Sequence, residues 1–143
     1  SGVDPPMPRY VVATVRQALG TGCAARALKV PELVVEPGRS IADPAGVALY
    51  TVSSIKDIPG VRRYVAVEGG MGDNIRPKLY GARYEALLAS APDRAPAGKV
   101  TIAGQYCEST DILITDIEMP VLKSGDILCV PAAGAYCLAM ARN

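Results

Sequence analysis

Residues able to do chemistry fall into three short segments. The first is Gly104-Gln105-Tyr106-Cys107-Glu108-Ser109-Thr110-Asp111, where a cysteine sits beside one acid and near another. A negative field raises a thiol pKa, so Cys107 reads as a protonated group suited to giving up a proton rather than attacking. A small filler in a loop beside a strand accounts for the same residue, and it is the simplest reading of Cys23, Cys129 and Cys137. The second segment runs Glu68-Gly69-Gly70-Met71-Gly72-Asp73-Asn74-Ile75-Arg76-Pro77-Lys78-Leu79-Tyr80. Its glycines can cradle an anion, and on a turn or helix Arg76 and Tyr80 converge on one ligand carboxylate. A flexible loop is the alternative, and no G-x-x-x-x-G-K pattern is present for a nucleotide. The third segment is Glu36-Pro37-Gly38-Arg39. Backbone N–H groups and a cation at the end of a strand suit a phosphate or carboxylate, although a Pro-Gly turn with a surface ion pair explains the same four residues.

Composition limits what these segments can do. The chain of 143 residues has no histidine, so proton transfer falls to Cys, Tyr, Glu, Asp or Lys, or to residues outside this sequence. None of the four cysteines forms a C-x-x-C pair. That argues against structural zinc and for reduced thiols in a cytoplasmic setting. Fifteen basic against 14 acidic residues, net +1, give no electrostatic case for nucleic acid or an anionic membrane surface. No apolar run approaches the roughly 20 residues of a spanning helix, and the opening SGVDPPMPRY has no signal-peptide layout.

The elements that must position the three segments are uneven along the chain. After a proline-rich lead-in over Ser1–Pro8, apolar residues at helical spacing predict a helix over Arg9–Leu19 stopped by Gly20. Thr21–Val30 reads either as loop or as a short helix. Leu33-Val34-Val35 reads as a buried strand closed by Glu36–Arg39. Downstream the signals are strand-like: Gly46–Ile55, Tyr64–Val67, Lys99–Ala103, Asp111–Ile117, Asp126–Val130 and Gly134–Ala141, with a surface loop over Ala89–Gly98. One α/β unit followed by a β domain cannot complete a parallel sheet alone, which places partner strands upstream of Ser1.

Taken in order, EPGR, GGM-x-D-x-x-RP-x-LY, G-x-x-CES-x-D, GD and GAY resemble the diaminopimelate decarboxylases, fold-type III pyridoxal-phosphate enzymes related to ornithine and arginine decarboxylases. The resemblance runs from about Pro31 to the C-terminus. It implies a mostly β chain: a Greek-key β-barrel or sandwich domain over residues 43–143, preceded over residues 1–42 by the last helix and strand of a (β/α)8 barrel. It implies further that Glu36, Pro37, Gly38 and Arg39 approach the cofactor phosphate and substrate, and that Tyr136 lies against the cofactor and substrate. Arg76 and Tyr80 would hold the distal substrate carboxylate. Cys107 would be the proton donor and Glu108 would meet the substrate amine. The Schiff-base lysine for pyridoxal 5'-phosphate would lie on the barrel rather than in this chain, since Lys56, Lys78, Lys99 and Lys123 follow no barrel-strand pattern. A homodimer with its active site at the interface is implied, with Cys107 and Glu108 acting in trans. Two departures stand out: Glu68 occupies a position where the family has Asp, and both chain ends look cut. A decarboxylase of ornithine, arginine or lysine, or a non-catalytic binding β domain, are the alternatives. Pairing Arg76 with Glu108 favours diaminopimelate, because a substrate without the distal carboxylate would leave Arg76 unpaired.

Overall fold

The computed structural model of the chain describes residues 7–141. The lead-in over Ser1–Pro6 and the terminal Arg142-Asn143 lie outside them. The chain divides into two compact units, Ser1–Ile41 and Ala42–Asn143.

In the first unit, helix α1 covers Pro8–Ala24 with proline at its first position, where the missing N–H costs nothing. The stop expected at Gly20 does not occur. A single interior glycine costs about 1 kcal/mol, too little to end a helix flanked by Val, Leu and Ala. Closure comes later, where Ala27 takes a left-handed φ of 51° and the Leu28 N–H donates to the Cys23 carbonyl at 2.9 Å, a Schellman-type end without glycine. The strand expected at Leu33–Val35 is not formed either: residues 28–37 carry no regular structure, and Val34 is 77% exposed. An extended segment becomes a strand only when a neighbour takes its N–H and C=O groups, and among the described residues of this unit no strand does. Helix α2 follows at Arg39–Ala42, after Gly38 turns the chain at φ 36°.

The second unit opens with a 3₁₀ turn, Asp43–Ala45, and then builds one six-stranded mixed sheet. Its strands are β1 (Ala48–Ile58), β2 (Arg62–Val67), β3 (Leu87–Leu88), β4 (Gly98–Ala103), β5 (Ile112–Met119) and β6 (Ile127–Val130), in the order β3-β6-β1-β2-β4-β5. Every pairing is antiparallel except β2 with β4. The long β1 pairs with β6 through Ala48–Thr51 and with β2 from Val52 onward, and the register of the β2 pairing slips between Val52 and Ser54. Tyr50 and Val52 face the core before the slip and Ile55 after it, so the extra residue resets the inward phase and bends the strand. The sheet accordingly curls as a half-barrel. Its core packs Val52, Val65, Val67, Leu88, Ile102, Met119 and Leu128, each at most 2% exposed. Burial of each such side chain is worth about 1.5–3 kcal/mol.

Two short helices interrupt the β pattern. Arg76–Tyr80 forms α3. The strand expected over Gly134–Ala141 is instead a turn followed by α4, Cys137–Met140. Tyr136 takes a left-handed φ of 66° that ends extended geometry, and Leu-Ala-Met then favours helix. The two-residue β3 carries too little periodicity to stand out in sequence.

Candidate functional site

Helix α3 fixes Arg76 through its backbone. The Arg76 N–H donates to Asn74 Oδ1 at 3.3 Å, and its carbonyl accepts the N–H groups of Gly81 and Ala82. The guanidinium carbon lies 5.6 Å from the Tyr80 ring centroid and 5.7 Å from that of Tyr136, so two aromatic faces hold the cation. Arg76 is only 7% exposed, and its Nε has no hydrogen-bond partner. A buried guanidinium nitrogen left without an acceptor is costly, and a carboxylate would satisfy it bidentately.

Beneath this cation lies a polar layer that no spacing rule singles out. Asn74 is buried, and the Tyr84 hydroxyl lies 4.0 Å from Cys137 Sγ. Burial first, then Cys137, pushes Tyr84 above its ordinary pKa. Burial first, then Asp73, does the same to Tyr50. Both phenols therefore stay neutral through the physiological range.

Cys107 and Glu108 sit on the loop between β4 and β5. Cys107 is exposed with a free thiol. Three donors converge on Glu108 Oε1: the Thr110 N–H and hydroxyl at 3.1 Å each and the Ser109 hydroxyl at 3.3 Å. The Thr110 N–H first, then its hydroxyl, holds this carboxyl below the ordinary value of 4.5, so Glu108 is an anion at neutral pH. Glu108 and Tyr106 line one wall of an open cleft of about 580 Å³ whose other lining residues are Met71, Gly72, Ile75, Leu79 and Met140. The cleft thus joins the Cys-Glu loop to the helix that carries Arg76. Cys107 is not among its lining residues.

Of the residues singled out in sequence, Arg76, Tyr80 and Tyr136 are brought together, and Glu108 shares a cleft with the residues flanking them. Glu36, Pro37, Gly38 and Arg39 belong to the first unit. The sequence reading missed Asp111 as a structural centre, along with Asn74, Tyr84 and Tyr106. The signal for Asp111 was its place four residues after Cys107, with glycines at 70 and 104 whose need for close approach only tertiary structure reveals.

Residues 12–134 match the family described as pyridoxal-dependent decarboxylase, C-terminal sheet domain, so the chain belongs to that family. Within it, the chain is similar to the diaminopimelate decarboxylase of Bacillus subtilis (strain 168), at 49% identity over 92% of this chain and 30% of that protein. Among solved structures it is similar to diaminopimelate decarboxylase from M. jannaschii, with 30% identity and a TM-score of 0.82 over 99% of this chain and 31% of that one. A structure of that enzyme in co-complex with L-lysine matches at 34% identity, TM-score 0.73, over 87% of this chain and 28% of that one. The chain therefore spans about a third of the length of the relatives it matches.

Proposed function

We propose that the full-length protein decarboxylates meso-diaminopimelate to L-lysine in lysine biosynthesis, using pyridoxal 5'-phosphate. This chain would contribute the substrate-carboxylate site and the proton donor. The observation that carries the reading is the buried Arg76, held between Tyr80 and Tyr136 with Nε unpartnered. That is a carboxylate receptor, and diaminopimelate keeps a second carboxylate at the end that does not react. Ornithine and arginine have none there, so they would leave the guanidinium unsatisfied.

Taken separately, each unit holds donor chemistry of the kind the cofactor takes. Tyr136 is 47% exposed and offers a ring face, and Arg39 with the Gly38 backbone turn offers cation and N–H donors for a phosphate. Pyridoxal phosphate, when bound, supplies the electron sink that makes loss of CO₂ feasible. Around it, Arg76 and Tyr80 orient the distal carboxylate, and anionic Glu108 faces the substrate ammonium. Cys107 Sγ–H gives its proton to the carbon that CO₂ leaves. The Schiff-base lysine belongs, on this reading, to the barrel that precedes the chain, with residues 1–42 as its last helix and strand and 43–143 as the β domain.

Cys107 is exposed and stands outside the cleft lining, which supports its acting on a partner subunit's substrate in a cytoplasmic homodimer. The test is release of CO₂ and L-lysine by the purified full-length protein. Turnover of meso-diaminopimelate well above ornithine, arginine and lysine is expected. Preference for one of those three would overturn the substrate assignment.

A further inference from the structure

Asp111 is 2% exposed, and its carboxylate joins two loops that are distant in sequence. Oδ1 accepts the Met71 N–H at 2.6 Å, and Oδ2 accepts the Tyr106 N–H at 2.9 Å. The Asp111 backbone carbonyl also accepts the Gly104 N–H at 2.9 Å, and beside it the Gln105 N–H donates to the Gly69 carbonyl at 2.9 Å. Two glycines make this geometry possible. A Cβ on Gly70 would lie 2.6 Å from Oδ2, and one on Gly104 would overlap the same carboxylate. One side chain therefore explains glycine at both positions.

The two amides it binds are well placed. Tyr106 immediately precedes Cys107, and Met71 opens the turn that leads into Arg76. Both residues line the cleft with Glu108. A carboxylate is an acceptor at both oxygens, so it can hold two N–H groups at once. An amide of the same shape must present a donor to one of them.

We propose that Asp111 is a positioning residue that locks the Cys107–Glu108 loop to the Arg76 loop, so that the two loops keep one fixed placement whichever subunit's substrate each of them serves. The inference rests on the proposed roles of Cys107 and Arg76, but its physical content is testable without them. In the wild-type full-length enzyme, hydrogen exchange across a denaturant series should give the Met71 and Tyr106 amides one common opening, with protection factors within about threefold of each other. Independent exchange of the two amides would overturn the proposal.

Asp111→Asn should speed exchange at both amides by about tenfold or more, with Val65 and Ile102 in the sheet unchanged. It should also split the kinetic effect, lowering kcat through the Cys107 loop and raising KM through the Arg76 loop. Gly104→Ala, which displaces the same carboxylate, should reproduce both effects, and the double variant should be no worse than either single one. A lower Tm with kcat per loaded subunit, KM and both protection factors unchanged would reduce Asp111 to a merely structural role. Failure of the wild type to use meso-diaminopimelate would sink the functional reading instead, and the exchange result would stand apart from it.

Discussion

The two units of this chain treat their apolar residues in opposite ways. In the sheet unit, Val65, Ile102 and Leu128 are fully buried and the strands take one another's hydrogen bonds. In the unit before it, α1 leaves Tyr10, Val11, Val12 and Val15 between 38% and 58% exposed, and Val34 and Val35 are exposed without strand partners. Both stretches look equally apolar in sequence. The difference is that a helix face or a strand is only half of a structure. The sheet unit contains its own second half, while the first unit leaves its apolar residues exposed among the described residues.

On the proposed assignment the proton donor belongs to the sheet unit, and the largest predicted effect tests that. In the full-length enzyme, Cys107→Ala should lower kcat by about 10²- to 10⁴-fold without changing stability, measured by steady-state turnover and thermal denaturation. An unchanged kcat would remove the proton donor from the sheet unit.

Next in size is a matched pair of truncations. Leu128→Ala should cost about 2–5 kcal/mol in chemical denaturation, because the fully buried side chain leaves a cavity. Val34→Ala should fall within about 0.5 kcal/mol in the chain alone, and should become costly in the full-length protein if a barrel covers that segment. Equal costs for Val34 in both contexts would break the contrast between the units.

A gain of about 1 kcal/mol is expected for Ala27→Gly, since Ala27 holds the left-handed φ of 51° that closes α1. Thermal denaturation measures it, and a loss would show that this turn is held by something other than backbone geometry.

The smallest effect concerns Glu108. Its pKa lies below the ordinary carboxylate value, so the stability it contributes is present above the unfolded value and is lost as pH falls through the lower folded value. Thr110→Val removes the hydroxyl donor to Oε1 while keeping the backbone N–H. An NMR carboxyl titration should then show the Glu108 pKa rising toward the ordinary range.

What could be read from sequence followed the locality of each signal. Strands β1, β2, β4, β5 and β6 were legible because β-branched runs between Gly, Pro and Asp are local features, and Arg76 with Tyr80 was legible because helical spacing is local too. The strand at Leu33–Val35 and the stop at Gly20 were misread because strand formation needs partners and helix termination needs a competing closure, here supplied by Ala27. The turn and helix over Gly134–Ala141 hinged on one left-handed residue, Tyr136, which no β pattern announces. Asp111 was missed because its meaning lies in Gly70 and Gly104, 41 and 7 residues before it, whose close approach to its carboxylate only the fold reveals.

The most direct test of the central claim, that Arg76 receives the carboxylate of the unreacting end, compares three ligands on wild type and Arg76→Met in the full-length enzyme. L-Lysine keeps the surviving carboxylate of meso-diaminopimelate, and cadaverine carries none. The account predicts that Arg76→Met raises the KM for meso-diaminopimelate and the inhibition constant for L-lysine by about 10- to 100-fold, while cadaverine inhibition changes by less than about threefold. Equal weakening of all three ligands, or of none, would contradict it.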